Sequence, residues 1–341
     1  MAGKKANTLN PGVFRKPTLK TIAELCGLDV STVSRALNGS PEIGEDTKAR
    51  VGRIAKEIGY VKDPTGLRLR TGRTNVINLV IGIHRDDQMA KLISAIATRL
   101  QSTPFQIAIA PVMPDEDPLK AVRRIVEDHM ADGIIINETR FHDPRVDYLM
   151  ERRFPFATHG RDSLADTHPY YDFDNREFAR LAMELLYQRG RRTLALLGPP
   201  RSQNYGLDTY LGAMESTTAH GLVLKTIDET GSNEALDDLR TAADRFVGLH
   251  PECDGYVCST SAAAFAITAA VERRGMVIGR DVDIVGKGNP AFLKMFRPAM
   301  LAFDENVIEA GDFLARAVLQ AIRTPELVPM QGMDVPDFPS E

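Results

Sequence analysis

Residues Thr18–Asn38 read TLKTIAELCGLDVSTVSRALN. Two short helical patterns, Leu19–Leu25 and Val30–Leu37, are separated by Gly27, with Thr18 and Asp29 at their entries. A Thr or Asp at a helix entry caps unpaired amides, and glycine turns the chain without a Cβ clash. The pattern is a helix-turn-helix. Ile22, Ala23, Leu28, Val33 and Leu37 are expected to face a small shared core. That leaves Val30, Ser31, Ser34 and Arg35 on the outer side of the second helix, the side that fits a DNA major groove. Val30 offers apolar contact suited to a thymine methyl group, Ser31 a weak donor or acceptor, and Arg35 a fork for guanine or phosphate. Thr18, Thr32 and Asn38 add polar groups at its margins.

Working outward, Glu45–Ile58 carries Val51, Ile54, Ala55 and Ile58 at helical spacing and is stopped by Gly59. A third helix is required, because two helices this short bury too little by themselves. Charge follows the same division. Residues 1–75 hold seven Lys and seven Arg against seven acidic residues, a net of +7; with −4 for all 341 residues, the remainder carries −11. A basic module on an acidic body concentrates attraction for phosphates where the helix-turn-helix lies.

These motifs have a recognisable order. The entry TLKTIA, the run VSTVSRALNGSPEI, the third-helix end EIGY and the closing LRTGRT together make Thr18–Arg73 resemble the headpiece of the lactose/galactose repressor (LacI/GalR) family. The resemblance implies a helix-turn-helix DNA-binding domain over 18–61, after an arm at 1–17, and a hinge over 62–74. It further implies that Leu69, aligned from TGRT, wedges into the minor groove of operator DNA, where an apolar residue partly unstacks a base step. Two departures bear on that hinge: Lys62-Asp63 replaces the usual proline-asparagine pair, and Gly66 stands where alanine is typical. Glycine costs about 1 kcal/mol in a helix interior.

From Asn75 onward, short apolar runs alternate with helical patterns. Strands are expected at 76–83, 106–110, 133–136, 156–158, 193–197, 223–227, 255–258, 282–285 and 300–303. Helices between them are expected at 90–100, 117–129, 175–188, 209–219, 234–249, 261–274 and 307–323. Repeated β-α order means parallel sheets covered by helices, and its length suits two units with a ligand cleft at the carboxyl ends of their strands. The stretches MADGIIINE, FDN (Phe173–Asn175), QRGRRTLALLGPP and VIGRDVDIVGKGN resemble the two-lobed α/β effector domain of the same family, itself similar to periplasmic sugar-binding proteins. That domain is placed at 75–324, with a proline-rich tail at 325–341. The first lobe is expected at about 75–160 with a return around 292–315, and the second at about 161–289 with the extreme carboxyl end.

Candidate ligand residues lie just past strands: Asp86, Asn137, Glu138, His159, Arg161, Asn175, Ser259 and Lys287, with Tyr170, Tyr171 or Phe173 to stack on the apolar face of a sugar. Two departures from the family bear on ligand class. Gly206 stands where the family commonly has a ligand-gripping arginine, which leaves room for a larger molecule such as a disaccharide. Lys287, in Gly286-Lys287-Gly288, replaces an acidic residue, which favours an acidic or phosphorylated sugar.

The implied protein is a homodimeric, effector-controlled regulator, reading a palindromic operator in double-stranded DNA. The expected effector is a sugar or sugar derivative; a non-sugar metabolite, or a body that merely dimerises an architectural DNA-binding protein, are the alternatives. No cofactor or metal is expected: the seven histidines are scattered, and HExxH, GxSxG and phosphate-loop signatures are missing, which argues against an enzyme. Cys26, Cys253 and Cys258 show no framework spacing and read as reduced thiols of a cytoplasmic protein. No apolar run reaches membrane-spanning length, and the start MAGKKANTLNPGVFRKP lacks the apolar core of a secretory signal. The tail TPELVPMQGMDVPDFPSE has no leucine heptad for a tetramer-forming coiled coil.

Overall fold

The computed structural model describes residues 17–61, 72–82, 87–113 and 116–339. Its contacts divide the chain into two compact units meeting between Arg73 and Thr74.

The first unit contains α1 (Leu19–Cys26), α2 (Val30–Leu37) and α3 (Glu45–Glu57). Thr18 caps α1 reciprocally with Thr21, each side chain accepting from the other's backbone amide, and Gly27 ends the helix at φ 63°. Such a cap contributes about 1 kcal/mol. Asp29 occupies the N-cap of α2 but makes no side-chain cap bond, contrary to the sequence expectation. The core is Ile22, Ala23, Cys26, Val33, Ala36, Val51 and Ala55. Leu28 and Leu37, expected in that core, pack at its margin, while the smaller Cys26 and Ala36 sit at the close approaches.

The second unit holds two sheets whose strands are all parallel. The first contains β1 (Val76–Gly82), β2 (Gln106–Val112), β3 (Gly133–Asn137), β4 (Phe156–His159), β5 (Tyr170–Phe173) and β11 (Gln331–Asp334), in the order β11-β5-β4-β3-β1-β2. The other contains β6 (Thr193–Leu197), β7 (Val223–Thr226), β8 (Gly255–Cys258), β9 (Asp283–Lys287) and β10 (Leu301–Phe303), in the order β10-β9-β8-β6-β7. Register pairs Ile77 with Ile107 and Gly133, and Leu196 with Thr226 and Val257. Buried apolar clusters cover both faces of each sheet, as parallel sheets require.

Helices α4 (Asp87–Leu100), α5 (Pro118–Glu127), α6 (Pro144–Glu151) and α12 (Val307–Arg323) belong to the first lobe. Helices α7 (Asn175–Gln188), α8 (Asn204–Ala219), α9 (Leu236–Leu249), α10 (Ser261–Glu272) and α11 (Pro290–Phe296) belong to the second. At Gly212 a Cβ would lie 1.9 Å from the Arg176 carbonyl oxygen, so α8 and α7 touch through backbone there.

The lobe boundaries depart from the sequence expectation in three places. Tyr170–Phe173 is a strand of the first lobe, so the chain enters the second lobe after Phe173 rather than at Arg161. Leu301–Phe303 pairs with β9, so the return begins after Phe303. Gln331–Asp334, expected in a tail, extends the first sheet beside β5. Asp334 ties these crossings together: its carbonyl accepts from Asp174 N at 2.8 Å and its carboxylate from Asn306 N at 3.0 Å.

Candidate functional site

In the first unit, Val33 and Ala36 turn α2 inward. Val30, Ser31 and Arg35 lie on the exposed opposite side, Val30 at 44% exposure, with Thr32 and Ser34 half-buried at its edges and Asn38 exposed at the C-cap. An exposed valine and serine at the start of a helix, with an arginine in its last turn, make a surface suited to base edges. Arg35 reaches Glu42 at 3.2 Å, with both side chains more than half exposed, so the pair holds the guanidinium weakly. Thr18 is engaged in its own cap. Leu69 lies outside the described residues.

In the second unit, the carboxyl ends of the two sheets face each other across a cleft with a cavity of ≈120 Å³. Six residues chosen by position just past a strand line it: Asn137, Glu138, His159, Asn175, Ser259 and Lys287. Gln88, Met89, Gly160, Asp172, Phe173, Tyr205, Asn233, Thr260, Ser261 and Glu305 join them. The rule that pointed past strands also reaches Glu305, two residues beyond β10, and Asn233, in the loop after β7. Three expected residues, Tyr170, Tyr171 and Arg161, do not line it. Tyr171 is 7% exposed and packs at 5.1 Å against Phe313 in the first-lobe core, and Tyr170 pairs with Thr158 and Gln331 inside the sheet, whereas Asp172 and Phe173 at the carboxyl end of β5 reach the cleft. Arg161 is drawn aside by Asp172 at 2.7 Å and Asp208 at 3.5 Å. Asp86 lies outside the described residues.

The rim after β3 is rigidly built. Buried Arg145 pairs with buried Asp143 at 2.6 Å and donates to the Asn137 carbonyl at 3.2 Å and the Glu138 carbonyl at 2.8 Å. Burial works to raise the Asp143 carboxyl, but Arg145 holds it below the ordinary carboxylate range. The clamp fixes Glu138 at φ 57°, a left-handed conformation uncommon for a residue with a Cβ.

Lys287 sits at the floor, 2.9 Å from Glu305, 2.9 Å from Asn175 Oδ1 and 4.8 Å from the Phe173 ring centre. Burial works to raise the Glu305 carboxyl, but Lys287 and His159 together hold it below its ordinary value. Burial holds His159 below its ordinary value, against the pull of Glu305 and Asp172. His159 Nδ1 lies 3.0 Å from Asn137 Oδ1. Ser259 Oγ is buried and has no hydrogen-bond partner among the described residues.

Gly206, expected to leave room for a larger ligand, does not face this cleft. A Cβ there would lie 2.2 Å from the Pro200 carbonyl oxygen, so close backbone packing fills the space. It instead lines a larger groove of ≈730 Å³ on the flank of the second lobe. None of the buried unpartnered polar side chains lies in that groove, and we place the candidate site in the cleft. Among the described residues, no cluster of three or more His, Cys, Asp or Glu side chains is placed to hold a metal ion, and no helix is long and apolar enough to cross a membrane.

Two family models match the chain. Residues 18–63 match the bacterial regulatory proteins of the lacI family, and 76–321 match the periplasmic binding proteins and sugar binding domain of the LacI family. The HTH-type transcriptional regulator AglR of Rhizobium meliloti (strain 1021) is 30% identical over 287 residues, 82% of this chain and 79% of its own. A structure described as the transcriptional regulator CelR-cellobiose complex has a TM-score of 0.69 at 21% identity, covering 95% of this chain and 99% of its own. The Lac repressor dimer bound to operator and the anti-inducer ONPF has a TM-score of 0.84 at 16% identity, covering 96% and 98%. With a helix-turn-helix headpiece, a two-lobed α/β body and matches across both, the chain belongs to the LacI family, as a helix-turn-helix transcriptional regulator.

Proposed function

We propose that this regulator is a homodimeric repressor of a palindromic operator and that a neutral sugar, of the size of a mono- or disaccharide, is its effector. The observation that carries the ligand class is the state of Lys287. Read from sequence as a cation awaiting an acidic or phosphorylated sugar, it is held by Glu305 and Asn175 at 2.9 Å each. Its charge is thereby met, and an incoming anion would also face Glu138, Asp172 and Glu305. The orphaned Ser259 hydroxyl and the amides of Asn137 and Asn175 suit neutral hydroxyl groups, which donate and accept. The solved structure of a CelR-cellobiose complex supports the same class.

At ≈120 Å³ the cavity is smaller than the roughly 300–1,000 Å³ usual for ligand pockets, so sugar entry requires the lobes to part. Asn137, Glu138, His159, Asn175, Ser259 and Lys287 are proposed to meet the sugar, and Val30, Ser31, Thr32, Ser34, Arg35, Asn38 and Leu69 the DNA. Thr18 serves through its cap. Exposed Phe292, Met295 and Phe296 along α11 offer an apolar patch for a second copy of the chain. An operator-binding protein of this kind works in the cytoplasm, on the nucleoid, and the cleft has no catalytic part in this reading.

The test is a thermal-shift screen of neutral mono- and disaccharides beside phosphorylated and acidic sugars, followed by titration calorimetry. A neutral sugar that stabilises the protein and alters operator affinity is the expected outcome. Binding of phosphorylated sugars alone would overturn the ligand class.

A further inference from the structure

The position of Arg161 assigns it a different task from touching ligand. It follows β4 in the first lobe, and its Nε donates to Asp172 of β5 at 2.7 Å while its Nη2 lies 3.5 Å from Asp208 of α8, in the second lobe. Asp172 in turn lines the cleft. Beside this bridge the start of α8 is docked on the loop after β3: Asn204 N donates to the Thr139 carbonyl at 2.9 Å. Thr139 is itself fixed from the Arg161 side, its Oγ1 donating to the Arg161 carbonyl at 2.7 Å. Gly160 allows that approach, since at φ 108° a Cβ would lie 2.7 Å from Thr139 Oγ1.

We propose that Arg161 is an interlobe latch, oriented by Asp172 and closed on Asp208, through which occupancy at the cleft carboxylate changes the closure of the lobes. The latch stands on geometry alone; its link to an effector rests on the reading of the cleft given above. The pieces have separable jobs. Asp208 supplies the far half of the bridge without lining the cleft, and Asp172 acts on closure only through the guanidinium it orients. The Asn204 amide, whose acceptor belongs to the other lobe, reports closure directly.

Hydrogen exchange of the full-length protein without sugar tests this. Asp208→Asn should speed exchange at the Asn204 amide about threefold or more, the range set by a partly exposed ion pair. The Arg140 amide, which donates to Asp143 within the first lobe, should keep its rate. Asp172→Asn should speed Asn204 similarly in the native background and add little in the Asp208→Asn background, because both act through Arg161. An unchanged Asn204 rate in Asp208→Asn, or acceleration spread through the second lobe, would overturn the latch. So would a Asp172→Asn effect that multiplies fully with Asp208→Asn. In a second arm, cellobiose should alter Asn204 exchange in the native protein and less in Asp208→Asn. An equal response in both overturns the coupling, and no response to cellobiose or any neutral sugar counts against the sugar reading while the first arm still judges the latch.

Discussion

Replacing Lys287 by Met removes the cation from a nearly buried pair, Lys287 and Glu305 being 11% and 15% exposed, and leaves the Glu305 carboxylate facing Asn175 and His159. Breaking such a pair from one side costs about 3–5 kcal/mol, because the remaining charge stays desolvated. For a unit of this size each kcal/mol moves Tm by roughly 2–4 °C, so Lys287→Met should lower Tm by about 6–20 °C. Glu305→Gln should cost less, since Lys287 keeps Asn175 and the Phe173 ring. The double variant Lys287→Met/Glu305→Gln should recover more than half of the single loss. The pH dependence gives a second signature. In the native protein the Glu305 carboxyl is held below its ordinary value, so its contribution is complete above about pH 4.3 and disappears as pH falls through the folded value. In Lys287→Met burial is opposed by His159 alone and moves the carboxyl upward, so the deficit should be largest near pH 7.5 and narrow toward pH 5. Scanning calorimetry at both pH values checks this. A loss under about 2 °C, or a deficit that widens toward pH 5, would refute the account of Lys287 as an internally neutralised cation.

Arg35→Ala should weaken operator binding by about 1–3 kcal/mol at fixed salt, read by fluorescence anisotropy, while Tm stays within about 1 °C because its exposed pair with Glu42 contributes little. Leu69→Ala should weaken operator binding more than binding to random duplex; equal losses would remove the wedge assignment. Arg145→Met should cost about 3–5 kcal/mol in urea unfolding and reduce sugar affinity, since it strands Asp143 and releases the Asn137 and Glu138 carbonyls. His159 has a depressed folded value, so the unfolded chain takes up its proton first as pH falls through about 6.5. Stability should therefore drop from pH 8 to 5.5, and His159→Gln should drop less. Met295→Glu should shift the sedimentation profile from dimer toward monomer.

The sequence was most informative where local chemistry sets structure. The helices Asn175–Gln188 and Val307–Arg323 have the ends expected, since each begins with a capping residue, Asp174 or Asn306, before an amphipathic run. The short helices Pro144–Glu151 and Pro290–Phe296 escaped, although Asp143-Pro144 and Asn289-Pro290 carry the cap-then-proline signal of a helix start. Gln331–Asp334 has no such signal. Its four residues become a strand only because β5, some 160 positions away in sequence, supplies the pairing partner. The error at Tyr171 has the same root: once Tyr170–Phe173 is a strand, only its carboxyl end, Asp172 and Phe173, reaches the cleft, and Tyr171 is left in the first-lobe core. Lys287 was found as a cleft residue but not as a satisfied one, because Asn175 and Glu305 reach it from distant parts of the chain.

Sugar-controlled operator binding is tested by an operator-binding titration with and without sugar. Duplexes selected from a random pool by the full-length protein would be sequenced, and the best compared with a scrambled duplex by anisotropy at one stated salt concentration. The account predicts a palindromic selected site, bound at least 100-fold tighter than the scrambled duplex, and a tenfold or greater change in that affinity with a neutral mono- or disaccharide; the second figure corresponds to about 1.4 kcal/mol of coupling. Equal affinity for selected and scrambled duplex, or operator binding indifferent to every neutral sugar while responding to a phosphorylated one, would contradict it.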